Sequence, residues 1–243
     1  MDWGRAKSVL IFAFLLLNLM LGYQLWSNIR EGLSTSAGVN DLPAETLSLM
    51  NQKGIKLKLA ESIPSETPEL GGLTFKLRKG EIVKLKQPVE SKIVFNAKEL
   101  QEGLGPIIPE LNKYTFDAAY DKAYDTAFVL YRTVKQLPIF DVKLELYYDN
   151  QKITAYRKDV IELVDAQDSP AQSVLPAATI LRTLIERNLQ NGAVIKDIKL
   201  GYHGPNFANS ETQVSAPSWR IMLEDGNPSV YYVNAISGEV VTE

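Results

Sequence analysis

The strongest constraint in this chain is a stretch that carries no charge. Residues 9–26 read VLIFAFLLLNLMLGYQLW, eighteen positions without an acidic or basic side chain. At about 1.5 Å of rise per helical residue the stretch reaches roughly 27 Å, close to the ~30 Å hydrocarbon thickness of a bilayer. It predicts a transmembrane helix. Arg5 and Lys7 precede it, whereas the first basic residue after it is Arg30. That asymmetry keeps residues 1–8 in the cytoplasm and places the remainder outside. Trp3 on one side and Tyr23 with Trp26 on the other fall where amphipathic rings settle at the two membrane interfaces. A cleaved secretory signal has a shorter apolar run followed by a small-x-small site. This run instead closes on Tyr23, Gln24, Leu25 and Trp26, so a retained anchor is expected. Phe14, Asn18 and Gly22 recur every four residues on one face of that helix. An amide beside a glycine suits helix–helix packing, although lone spans also tolerate both.

Beyond the anchor the composition is that of ordinary globular material, and about 200 residues are enough to bury one or two cores. The chain has no cysteine and one histidine. Disulfide frameworks and thiolate metal sites are therefore excluded. With Asp2, Arg5 and Lys7 contributing +1 to a net charge of −3, the remainder carries −4, which argues against nucleic acid as a partner.

Residues 27–40 are small and polar and read as a juxtamembrane tether. Asp41 is placed to cap a helix starting near Pro43 and stopping at Gly54. Alternating strands are predicted at 55–60, 73–77, 82–85 and 92–95. A short helix and an irregular connection fill 97–124. Two strong strand patterns follow at 128–134 and 140–149. In the second, Val142, Leu144 and Leu146 face one way and Asp141, Lys143 and Glu145 the other. After a turn at Asp149-Asn150, residues 152–164 return as one partner strand, making a long hairpin with one wet face. A second helix spans 176–190, its Ile180, Leu181, Leu184, Ile185 and Leu189 forming an apolar stripe. Strands at 193–202, 218–223, 230–235 and 239–241 close the chain. Helices laid over antiparallel sheet give an α+β class. The predicted organisation is two similar lobes, 41–135 and 136–243, joined through the central hairpin.

Catalytic signatures are missing. His203, in GYHGPNF, lacks the H-x-x-x-H or H-E-x-x-H spacing of a metal site. Neither G-x-S-x-G nor a phosphate-binding glycine loop occurs. No catalytic, cofactor-binding or metal residue is assigned, no cofactor is expected, and the chain reads as a non-enzyme. Tyr147-Tyr148 and Tyr231-Tyr232 each put one ring on either sheet face, as surface residues or interface anchors.

The N-terminus, with Met1-Asp2-Trp3, Arg5, Lys7 and a span holding Asn18 and closing on Leu21-Gly22-Tyr23-Gln24, resembles that of the YycI (WalI) family. The segment 217–243, PSWRIMLEDGNPSVYYVNAISGEVVTE, is similar to the strand pair and closing turn of PepSY-like lobes. The first resemblance implies a single-pass extracytoplasmic regulator. It acts with the sister protein YycH on the sensor histidine kinase YycG (WalK), in a system controlling cell-wall metabolism, with contacts through transmembrane helices as well as outer domains. The PepSY likeness leaves an alternative: an exported module that binds or inhibits a wall-associated protease or hydrolase.

Overall fold

The computed structural model describes residues 14–18, 20–21, 42–59, 62–120, 127–164, 170–205, 210–225 and 229–241. Residues 14–18, 20 and 21 are helical, and their side chains are exposed. Among the described residues no helix is long and apolar enough to cross a membrane. The transmembrane helix expected over 9–26 is thus not part of the described fold, because most of that stretch lies outside the described residues. Phe14 and Asn18 lie in the helical piece, while Trp3, Arg5, Lys7, Gly22, Tyr23 and Trp26 also fall outside them.

The first helix of the globular part, α1 (Ala44–Lys53), starts directly after Pro43 and buries Thr46 and Met50. It ends at Gly54, whose φ of 66° is the left-handed cap that glycine adopts without a Cβ penalty. Asp41, the predicted cap, is outside the described residues. Helix α2 (Ala97–Leu104) begins at Asn96, whose side chain accepts from the backbone N–H groups of Lys98 and Glu99. The Asn96 amide in turn donates to Glu99 Oε1 at 3.0 Å, so the first turn is satisfied reciprocally. Helix α3 (Ala177–Arg187) buries the predicted stripe, Ile180, Leu181, Leu184 and Ile185. Lys53, in the last turn of α1, donates its ammonium to the Ile185 carbonyl at 2.6 Å, tying α1 to the C-terminal turn of α3.

The strands are β1 (Lys56–Leu57), β2 (Glu69–Leu70), β3 (Leu73–Arg78), β4 (Ile82–Glu90), β5 (Tyr114–Phe116), β6 (Ala127–Val134) and β7 (Leu137–Asp149). They continue as β8 (Lys152–Lys158), β9 (Val160–Leu163), β10 (Gln172–Ser173), β11 (Val194–His203), β12 (Thr212–Leu223), β13 (Val230–Asn234) and β14 (Val240–Val241). Twelve of them join one mixed but mostly antiparallel sheet, whose main path runs β14-β13-β12-β11-β7-β6-β5. The class is α+β, with a large sheet and few helices. The strands of the two expected lobes share that sheet, because β6 of the first pairs with β7 of the second, and β4 with β8; β7 and β11 pair in parallel through Tyr202 and Ile139.

Two cores cover one side of this sheet. In the first, α1 and α3 sit over Trp219, Ile221 and Val233, together with Leu57 and Ile195. In the second, α2 and the segment after it bring Leu100, Leu104, Ile108 and Leu111 against Leu130, Leu144 and Leu146. Each core takes residues from both sides of position 135.

Two predicted strands, 82–85 and 218–223, form as the longer β4 and β12, and three others differ more deeply. Residues 92–95 lie in a 3-10 helix (Ser91–Phe95). Strand β4 ends at Glu90 and Asn96 starts α2, so the short link between them must turn while burying Val94. Residues 152–164 form two strands, because Asp159 interrupts the ladder. Its carboxylate accepts from the backbone N–H groups of Gly80 at 3.2 Å and Lys143 at 3.3 Å. The chain then leaves β7 and pairs β9 with β3. The expected strand at 55–60 shortens to β1, paired in parallel with β11.

Two tight hairpins are built without glycine. Lys135 and Gln136 (φ 50° and 68°) link β6 to β7, and Asn150 and Gln151 (φ 48° and 62°) link β7 to β8. Positive φ at both central residues matches the right-handed twist of the flanking strands.

At the β7–β11 junction, Gly201 faces the other strand so closely that an added Cβ would lie 2.5 Å from the Pro138 carbonyl oxygen and 2.6 Å from the Phe140 ring. The nearest obstacle is backbone, which does not rotate away. Gly201→Ala is expected to destabilise the domain by about 1–3 kcal/mol through overpacking, read as a lower urea midpoint with an unchanged m-value. An unaltered midpoint would show that the two strands separate freely here.

Candidate functional site

The alternation of β7 has a consequence that periodicity alone does not show. Val142, Leu144 and Leu146 are fully buried, as their pattern predicts. Their alternates Asp141, Lys143 and Glu145 are half-buried. They form part of the wall of a cavity of about 510 Å³. The facing wall includes Phe75 and Leu77 of β3 and Gln213 and Ser215 of β12, and Tyr120, Phe140 and Tyr232 add aromatic surface. Strand β3, paired with both β12 and β9, brings Phe75 and Leu77 to this wall, and Phe75 also packs against Ile139, Val142 and Tyr202.

Each carboxylate on the wall is held by several donors. Asp141 accepts from His203 Nδ1 at 2.8 Å, the Gly204 N–H at 3.0 Å and Ser215 Oγ at 3.3 Å. Because a carboxylate only accepts, that bond places the histidine proton on Nδ1. The imidazole is buried and stacks on the Tyr232 ring, 3.7 Å between centroids. Gly204 has room for this arrangement only without a side chain, since a Cβ would meet the Val214 carbonyl oxygen at 2.0 Å. Asp159, besides the two backbone donors, accepts from Lys79 Nζ at 3.0 Å. Glu145 binds Arg157, with the closer contact at 2.7 Å, and accepts from the Tyr147 hydroxyl at 2.6 Å.

Behind the wall lies a second polar cluster. Arg220 of β12 is wholly buried, with Nη2 donating to Asp197 at 2.7 Å and Nη1 to Asp117. Its guanidinium carbon stands 4.8 Å from the centroid of the Phe140 ring and 5.6 Å from that of Tyr131. Burial pushes the Asp117 carboxyl up, but the Arg220 hydrogen bond and charge, with Lys199 beside it, outweigh that and hold it below the ordinary carboxylate value. Burial alone would lower the Arg220 pKa, and its bonds to Asp117 and Asp197 reverse the direction. The Tyr131 hydroxyl is buried without a hydrogen-bond partner, and burial raises its pKa.

This geometry is not that of acyl transfer. A serine nucleophile bonds to its base, which in turn bonds to the acid. Here His203 and Ser215 both bond to Asp141, so no proton path runs from the hydroxyl to the imidazole. Among the described residues no group of three or more His, Asp or Glu side chains is arranged to hold a metal ion. His203, singled out by its uniqueness, is a structural partner of Asp141. Tyr232 lines the cavity, and Tyr148 stacks on Phe128 at 4.6 Å. Sequence reasoning placed Asp141, Lys143 and Glu145 on one face but missed the enclosure. Many of its remaining members come from β3, β12 and β13, far away in the chain.

Fold and site together define an α+β sheet protein whose polar groups join elements around a cavity, and among the described residues of that cavity no nucleophile is bonded to a base. The family model described as YycI protein matches residues 31–236, and the chain belongs to the YycI family. That family is a regulatory one and not a known enzyme family. No curated protein matches the chain.

The depressed pKa of Asp117 sets a sign for acid stability. A carboxyl bound more tightly as the anion in the fold contributes stability above its unfolded pKa of about 3.9, and loses it as pH falls toward the lower folded value. Asp117→Asn is expected to cost about 3–5 kcal/mol at neutral pH, by leaving Arg220 under-compensated in the interior. It should also flatten the fall in stability below about pH 4. Urea titrations of both proteins from neutral to acid pH check this. Parallel curves would mean that Asp117 does not titrate with folding.

Proposed function

We propose that this chain is a non-enzymatic, membrane-anchored extracytoplasmic regulator of the sensor histidine kinase YycG (WalK), acting together with YycH. The observation that carries this reading is the YycI family match over residues 31–236, which covers nearly all of the chain outside the anchor. The uncharged run at 9–26, with Arg5 and Lys7 before it, supplies the anchor and its direction.

Regulation through such a protein requires contacts that differ between two kinase states, since a binder with equal affinity for both shifts nothing. A tenfold change in the balance needs only about 1.4 kcal/mol of differential contact. One helix–helix bond in a membrane averages about 0.6 kcal/mol, roughly a threefold effect, and reaches about 1–2 kcal/mol. The Asn18 amide therefore acts on the kinase's spans together with packing at Phe14 and Gly22, with the outer domain biasing the same equilibrium.

Replacing residues 9–26 with an unrelated span of equal length is expected to change phosphorylation of the kinase's response regulator, while the outer domain is still exported and folded. Asn18→Leu should reproduce part of the change. Kinase output that stays at the wild-type level in the span-swap protein, at matched surface abundance, removes the helix from the mechanism.

A further inference from the structure

The cavity beside β7 has an asymmetry of charge satisfaction. Its three carboxylates are fully engaged: Asp141 by His203, Gly204 and Ser215, Asp159 by Lys79 and two backbone N–H groups, and Glu145 by Arg157 and Tyr147. Two of its cations are engaged by those same carboxylates. The Lys143 ammonium is different. Among the described residues it has no carboxylate partner, and it stands over the Tyr120 ring, 5.4 Å from the centroid. It is half-buried on the cavity wall between Asp141, whose carboxylate is taken up by three hydrogen-bond donors, and Glu145, which is paired with Arg157.

An ammonium removed from part of its water and given only a ring face is under-compensated, because a cation–π contact supplies about 0.5–2 kcal/mol where a charge-assisted hydrogen bond supplies about 1.5–3. The cavity volume of about 510 Å³ falls within the range of sites that enclose small organic molecules. Its aromatic wall of Tyr120, Phe140 and Tyr232 offers apolar surface next to the ammonium. A ligand cation finds no unoccupied carboxylate here, whereas a ligand anion finds a donor.

We propose that this cavity binds a small organic anion, whose carboxylate or phosphate is held by Lys143 and whose apolar body lies against the aromatic wall. The site stands independently of the kinase reading, since no contact in it involves the anchor.

The test uses the full chain in lipid nanodiscs and three probes of similar shape: phenylacetate, phenyl phosphate and neutral phenylacetamide. Ligand-observed NMR is expected to show saturable binding of at least one anion, at least tenfold tighter than the amide. Lys143→Met should abolish that preference and Lys143→Arg retain it, with circular dichroism confirming that both variants are folded. Preference for phenyl phosphate over phenylacetate, or the reverse, identifies which acid the site takes, and either supports the proposal. Equal binding of acid and amide, a preference that survives in Lys143→Met, or no saturable binding of either anion up to about 10 mM overturns it.

Discussion

Strands β7 and β11 run side by side through one register pair, Tyr202 with Ile139, and the two helix-covered halves of the sheet meet there. So short a ladder does not fix the angle between two halves that each have their own core. The junction is held instead by what surrounds the pair. Gly201 lets β11 press against the Pro138 carbonyl and the Phe140 ring. Just beyond it, Asp141 of β7 gathers the end of β11, through His203 and Gly204, and β12, through Ser215. On the same seam Arg220 of β12 reaches Asp197 of β11 and Asp117, which follows β5 in the other half. Carboxylates thus do at the seam what a longer ladder does elsewhere in the sheet.

This division of labour explains what could be read from the amino-acid order. Elements whose reason for forming is local were visible: α1 between Pro43 and Gly54, the α3 stripe from Ile180 to Ile185, and the β7–β8 hairpin with its strict alternation. Elements decided by distant partners were not. Ile93, Val94 and Phe95 are good strand residues, but the need to turn from β4 into α2 winds them into a 3-10 helix. Asp159 reads as one more polar position in a strand, yet donors from Gly80 and Lys79, about eighty residues earlier, make it the break between β8 and β9. Tyr114–Phe116 is too short to show a period, and it forms a strand because β6 offers a partner. The site followed the same rule. His203 stood out as the single imidazole, but Asp141 lies 62 positions away and no spacing pattern connects them. Alternation showed that Asp141, Lys143 and Glu145 share a face and could not show that β3, β12 and β13 would bring residues to the same cavity.

The absence of cysteine gives the cores and the buried ions different tasks. With no disulfide to constrain the unfolded chain, apolar burial on the helix-covered side must supply the driving force. Phe75, Ile139, Val142 and Tyr202 extend that burial beneath the β3–β9 extension. The ion cluster is poorly suited to the same role. Desolvating a guanidinium and two carboxylates costs several kcal/mol per ion, and mutual attraction returns about that much, so such clusters often contribute little net stability. Their effect lies in geometry. An apolar replacement of Arg220, Asp117 and Asp197 could bury as well in many relative positions of the two halves. The guanidinium satisfies both carboxylates in one. On this argument the cluster selects the register at which the sheet halves meet, and that register places Tyr232 and the β7 face around one cavity. The position of the cavity is therefore a property of the seam, and an alteration at Arg220 reaches Lys143 through the backbone of β7 although no bond joins the two side chains.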